Sequence, residues 1–267
     1  MTADVRDLAR RARPGLPART VERLGAGLDH QAFLVDGELV VRLGEDPAAE
    51  ARVLELVAPL APPAVPAPLL VEGDAMVYPL LPGTPLLALG PPPRDLAPLG
   101  RFLSRLHRLD APGVARDDFT PEQWLADARE QHEQVAAQVP AAHRDAVGAF
   151  LAAPPPPPPP ALALTHNDLG AEHLLADPAT RAITGVIDWG DAAIADPAYD
   201  LGLLLRDLGD GVLAHYDPLE PPEDLLRRAT FYARCAVFED LAYGQEAYTR
   251  NALAAIGRLF GPSAPRP

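Results

Sequence analysis

Apolar positions alternate or cluster in short runs over the first third of the chain and recur at helical spacing over most of the rest. This pattern predicts a β-rich beginning followed by a mainly helical body. Residues 32–35 and 39–43 are short apolar runs joined by Asp36-Gly37. Such a pair between two runs signals a hairpin, because both residues tolerate the positive φ of a tight turn. Upstream, the small residues of 24–30 read as a loop. Residues 47–58 are predicted helical, with Pro47 near the start and Ala51, Leu54 and Val57 on one face. The stretch 59–68 is punctuated by proline and extended. Two further strands are predicted at 69–71 and 75–80, and Pro82-Gly83-Thr84-Pro85 then breaks the pattern.

Beyond the break, residues 96–109 place Leu99, Phe102, Leu103 and Leu106 on one helical face. Helical patterning continues over 121–139 and 141–152. Seven consecutive prolines at 154–160 predict an extended polyproline connector. Short strands return at 161–165, 173–176 and 183–187, and the tail is helical over 198–208, 222–244 and 246–260. The layout is α+β, with a small β-rich lobe, a short linker and a larger helical lobe that contains a β hairpin.

Composition narrows the chemistry. The chain has 267 residues and a net charge of −14, which disfavours nucleic acid and anionic membrane surfaces and favours a cationic small molecule. No lysine occurs, so Schiff-base chemistry and the Walker phosphate-loop lysine are excluded. Serine occurs only at Ser104 and Ser263, neither in a G-x-S-x-G setting, which argues against a serine hydrolase. The lone Cys235 forms neither an internal disulfide nor a zinc cage. Residues 1–14 are charged and helical in pattern, with no apolar signal region, and no apolar run reaches the roughly 18 residues of a membrane span. A cytoplasmic location is expected.

Chemistry-bearing residues concentrate in Thr165-His166-Asn167-Asp168-Leu169-Gly170-Ala171-Glu172-His173, followed by Ile187-Asp188-Trp189-Gly190-Asp191. Each group stands at a strand end, a rigid mount for reacting groups. An imidazole with carboxylate oxygens, leaving positions open for phosphate oxygens, suits Mg²⁺ shared with a nucleotide. The spacing is that of a kinase catalytic loop followed by a metal-binding Asp-x-Gly.

These two segments, with the continuation through Ala198-Tyr199-Asp200-Leu201, resemble the aminoglycoside phosphotransferase family, most of all its 2''-phosphotransferase branch. The resemblance covers about residues 24–260 and implies a two-lobed, protein-kinase-like fold. The expected division is 1–78 for the nucleotide-covering lobe, 79–83 for the linker and 84–267 for the helical lobe. By resemblance, Asp168 is the catalytic base, and His173 and Asp188 are Mg²⁺ ligands. Gly25 and Gly27 belong to a nucleotide-covering loop, although by themselves they fit a plain turn equally well. Arg42 and Glu50 form the strand–helix ion pair. Val77, Tyr78, Leu80 and Leu81 border the purine, and His166, Asn167 and Asp200 organise the catalytic loop. Asp191, Glu239 and Asp240 are the candidates for binding acceptor ammonium groups, the latter two fitting a solvated helix face as well. Two positions depart from the family pattern: Arg42 replaces the strand lysine, and His173 stands where many relatives have asparagine.

The function expected is transfer of the γ-phosphate of ATP or GTP, with Mg²⁺, to a hydroxyl of an aminoglycoside-like or other small acceptor. No protein partner is implied. The alternative is a catalytically weak nucleotide- or ligand-binding module, motivated by Arg42. A protein kinase is disfavoured, because no long activation segment or Ala-Pro-Glu follows Asp188. A metal-dependent hydrolase leaves the small lobe unexplained.

Overall fold

Residues 4–26, 30–44 and 46–261 are described by the computed structural model. The small lobe opens with α1 (Val5–Ala12), capped by the Asp4 carboxylate. Strands β1 (Val21–Ala26), β2 (His30–Val35) and β3 (Leu39–Gly44) follow, then α2 (Pro47–Val57), β4 (Leu70–Glu72) and β5 (Ala75–Pro79). The strands form one antiparallel sheet in the order β1-β2-β3-β5-β4. The Asp36-Gly37 hairpin is present, both residues having positive φ.

One correction concerns 24–26. Where a loop is expected, these residues end β1, with Gly25 and Ala26 paired to β2 and a register shift between Arg23 and Gly25. A bulge of this kind lets a short, glycine-containing run stay in the sheet. Gly27 lies outside the described residues.

Alternation along β3 places the chemistry. Leu39, Val41 and Leu43 pack with Leu8, Ala9 and Val77 in a core under α1. The period of two turns Val40 and Arg42 to the opposite face, toward the large lobe.

The large lobe contains β6 (Thr84–Pro85), α3 (Leu86–Leu89), α4 (Ala97–Leu106), α5 (Pro121–Val135), α6 (Arg144–Ala152), β7 (Ala163–Thr165), β8 (Leu174–Ala176), β9 (Ile183–Val186), β10 (Ala193–Ala195), α7 (Pro197–Leu208), α8 (Pro222–Tyr243) and α9 (Glu246–Leu259). Strand β8 pairs with β9 and with the two-residue β6, while β7 pairs with β10. Neither β6 nor β10 has enough residues for a period to be read in the sequence. Helix α5 starts where Thr120 and Gln123 form a reciprocal capping box with Pro121 at the first position. The 154–160 proline run contains neither helix nor strand, as expected.

Phe102, Trp189 and Phe238 are fully buried in one core that joins α4, the segment after β9 and α8. Helices α7 and α8 cross closely at Gly202. A Cβ there would stand 2.8 Å from the Ala229 carbonyl oxygen and 2.9 Å from the Tyr232 Cβ. Gly202→Val is therefore expected to destabilise the protein by about 1–3 kcal/mol. A thermal melt checks this, and an unchanged midpoint would contradict the close crossing.

Candidate active site

The loop between β7 and β8 carries His166, Asn167, Asp168 and His173, and a single buried carboxylate shapes it. Asp200, in the first turn of α7, accepts from the His166 N–H and from the Asn167 N–H, both at 2.9 Å. His107 Nε2 lies 3.1 Å from the same carboxylate, and His107 Nδ1 lies 2.8 Å from the Tyr216 hydroxyl. An ionised carboxylate only accepts, so Nε2 carries the proton and Nδ1 accepts from the tyrosine. Burial alone would raise the Asp200 pKa, but the His107 hydrogen bond, the two histidines and the loop amides bring it below the ordinary value.

His166 is fully buried, and its Nε2 donates to the Ile187 carbonyl at 2.9 Å. Burial pushes its pKa from 6.5 down to about 4. The unfolded chain binds a proton in that interval which the folded protein refuses. Stability from this group is thus fully present above pH 6.5 and is lost as pH falls toward 4. Asp200, with its lowered pKa, adds a loss of the same sign as it protonates in stronger acid. The melting temperature is expected to fall with acidification through this window, and less steeply in His166→Asn. Equal slopes for the two proteins would remove His166 from the effect.

Asp168 projects from this loop. Burial and the carboxylates of Glu172, Asp191 and Asp188 raise its pKa against the pull of His173. Its side chain keeps 41% of its exposure, so solvent still reaches the carboxylate. His173 Nδ1 donates to the Asp168 backbone carbonyl at 2.7 Å, which leaves the Nε2 lone pair 3.5 Å from Asp188 Oδ2. Burial alone would lower the His173 pKa, and the surrounding carboxylates reverse this. A divalent cation that displaced the proton these carboxylates favour would find an imidazole nitrogen and a carboxylate oxygen side by side. Asp188 follows β9 with a positive φ of 65°. Oxygen and nitrogen atoms of Asp168, Glu172 and His173 also lie within 4.8 Å of one another.

The two lobes meet at Arg42, which is 6% exposed. One arm of its guanidinium binds Glu50, and the other binds Asp188 Oδ1 at 2.5 Å. The Glu50 carboxylate also accepts from the Trp189 N–H at 3.2 Å. A planar fork serves two carboxylates at once, which a compact ammonium does less well. Arginine at this position therefore keeps the strand–helix pair that the family resemblance implies.

The linker strip needs correction at one end. Val77 is fully buried in the core under α1, and its carbonyl accepts from the Leu69 N–H at 2.7 Å. The Leu80 N–H is engaged by the Glu38 carbonyl at 2.8 Å. Strand β5 runs through Tyr78 to Pro79, and residues 80–83 follow it.

Beside the catalytic loop opens a cavity of about 350 Å³. Asn167, Asp191, Asp117, Trp124, Asp127, Tyr199 and Glu239 are among the residues that line it. Asn167 is tied to Asp117 by a 3.0 Å hydrogen bond. Glu239 lines this cavity and Asp240 does not. Successive helix positions point about 100° apart, and Asp240 is turned inward, 5% exposed, against Arg206 at 3.2 Å. Asp117, Trp124 and Asp127 are absent from the sequence-based candidates. Their only local trace is an aromatic and polar stripe, Trp124, Asp127 and Gln131, at helical spacing. A larger cavity of about 560 Å³ lies between Pro154 and α8 and contains no residue of the catalytic loop.

A family model described as the phosphotransferase enzyme family matches residues 20–231. The chain belongs to the phosphotransferase enzyme family. Solved structures of other phosphotransferases share its fold. A GDP and kanamycin complex of aminoglycoside 2''-phosphotransferase IIIa superposes with a TM-score of 0.65 at 23% identity, covering 95% of this chain and 96% of that one. The macrolide 2'-phosphotransferase of Brachybacterium faecium, without ligand, gives 0.63 at 28% identity over 98% and 99%. A spectinomycin phosphotransferase with ADP and spectinomycin gives 0.62 at 15% identity over 93% and 91%. No curated protein matches the sequence significantly. As in the family's kinase-like members, the antiparallel small lobe sits over the helical lobe, and the expected two-lobed α+β class is observed. Among the described residues, no helix is long and apolar enough to cross a membrane.

Proposed function

We propose that this phosphotransferase moves the γ-phosphate of ATP or GTP to a hydroxyl of a small, cationic acceptor. The observation that carries the reading is the position of Asp168. It stands on a loop held by Asp200, with the His173–Asp188 pair on one side and an acidic, aromatic-walled cavity on the other. Asp168 accepts the hydroxyl proton and aligns the oxygen with the phosphorus. Its raised pKa makes it a stronger base than an exposed aspartate. His173 Nε2 and Asp188 Oδ2 are the groups that would hold Mg²⁺, which when bound neutralises charge on the phosphates. Arg42 grips Glu50 and Asp188 from the small lobe and keeps α2 against the metal-binding segment.

The cavity supports a cationic acceptor. Asp117, Asp127, Asp191 and Glu239 line it around Trp124 and Tyr199, and carboxylates beside aromatic faces suit ammonium groups. Relatives of the same fold bind nucleotides and aminoglycosides in their structures.

The test is mass spectrometry. The protein is incubated with Mg²⁺, ATP plus GTP, and a pool of aminoglycosides, macrolides and hydroxylated metabolites. A phosphate mass gain on one compound, absent with Asp168→Asn, is the expected result. Tight nucleotide binding with no gain on any compound would favour the binding-module alternative instead.

A further inference from the structure

We propose that Arg42 is a positioning residue of the metal site and not a phosphate ligand. Its guanidinium sets the Asp188 carboxylate so that one oxygen is presented beside His173 to a divalent cation. The proposal rests on the kinase reading above and concerns the metal of that same site.

One buried guanidinium joins three elements. Arg42 stands on β3, on the face turned away from the core under α1. Its Nη1 donates to Glu50 Oε2 on α2, and its Nη2 donates to Asp188 Oδ1 after β9 at 2.5 Å. Glu50 Oε1 accepts in turn from the Trp189 N–H at 3.2 Å. The segment after β9 is thus gripped at two successive residues, at the Asp188 side chain by Arg42 and at the Trp189 amide by Glu50.

The Asp188 carboxylate is shared between two neighbours. Oδ1 belongs to Arg42, and Oδ2 lies 3.5 Å from His173 Nε2. His173 is held from behind, because its Nδ1 donates to the Asp168 carbonyl at 2.7 Å. Each candidate ligand therefore has a partner on its far side, which fixes the atom it turns toward the other. Partners of this kind orient metal ligands, and losing one typically costs about 10–100-fold in metal affinity.

The same geometry opposes a grip on phosphate. Both terminal nitrogens of Arg42 serve carboxylates. Turning either one to a phosphate would strip the cation from Glu50 or from Asp188. For Glu50 that loss is costly, since it is buried and the Arg42 charge is the main pull against the burial that raises its pKa. A planar fork can hold two carboxylates from its two ends, whereas an ammonium concentrates its donors at one point.

The test is Arg42→Lys, which keeps a positive charge for Glu50 and removes the second arm of the fork. Two constants are measured beside a thermal melt. Mn²⁺ binding to the nucleotide-free protein is followed by water proton relaxation, and ADP and GDP binding is measured in EDTA. Arg42→Lys is expected to weaken Mn²⁺ about tenfold or more, while the nucleotide Kd in EDTA stays within about threefold of the parent or tightens. A Mn²⁺ Kd that changes less than about threefold overturns the proposal. A nucleotide Kd in EDTA that weakens beyond that margin overturns it too, because Arg42 would then be gripping phosphate. A collapsed melt also overturns it and makes Arg42 a residue of stability alone. The kinase reading fails separately: if neither nucleotide binds the parent with Mg²⁺, that reading falls, and the Mn²⁺ titration alone decides the role of Arg42.

Discussion

Asp168→Asn is expected to melt at the parent temperature and to lose about 10²–10⁴-fold in kcat. The substitution keeps the shape of the side chain and removes only the basic oxygen. The loop around it is built by other groups: Asp200 holds the two preceding amides, and His173 Nδ1 donates to the Asp168 backbone carbonyl, which the variant retains. Removing one carboxylate from a site crowded by Glu172, Asp188 and Asp191 also relieves repulsion, so stability has no reason to fall. Nucleotide Kd should change little, because no contact joins the Asp168 side chain to Arg42 at the lobe junction among those described. The paired readouts are single-turnover transfer and a thermal melt. Parent-like turnover would remove Asp168 from the chemistry, and a collapsed melt would make its role structural.

Asp200→Ala is expected to have the largest effect on stability, roughly 3–5 kcal/mol, as for other buried charged partners removed alone. The carboxylate is fully buried and accepts from the His166 amide, the Asn167 amide and His107. Alanine orphans all three donors where no water replaces the acceptor. At roughly 2–4 °C per kcal/mol for a chain of this size, the midpoint should drop by about 10 °C. Activity should fall as well, because the loop that carries Asp168 loses its anchor and Asn167 its reason to hold a positive φ of 65°. Asp200→Asn should lie between, since one oxygen still accepts. Differential scanning calorimetry beside the transfer assay checks both. Full activity in Asp200→Ala would show that the loop holds its shape without this carboxylate.

Much of the site was legible in sequence because its parts are close together in the chain. Asp168 and His173 are five positions apart, and their loop is bounded by two short apolar runs, so one motif carries both. Asp188 follows the next apolar run for the same reason. The Asp36-Gly37 turn between two apolar runs likewise announced the hairpin, whereas the face of β3 that carries Arg42 came only from the structure. The loop expected at 24–30 was misread at its start, because a bulged strand with small residues carries the same local signature as a turn.

What local pattern determined, then, is the two-lobed α+β order, the catalytic loop and the metal-ligand candidates. Periodicity and turn chemistry act over a few residues and leave their mark in the sequence itself. The tertiary structure alone decided which distant groups meet them. Arg42 reaches Asp188 across 146 positions, and Asp117 reaches Asn167 across 50. Glu239 lines the cavity beside the 165–173 loop while its neighbour Asp240 turns to Arg206, a choice made by the rotation of α8. Such contacts depend on how helices and sheets pack against one another, and packing over long sequence separations has no period for a local pattern to display.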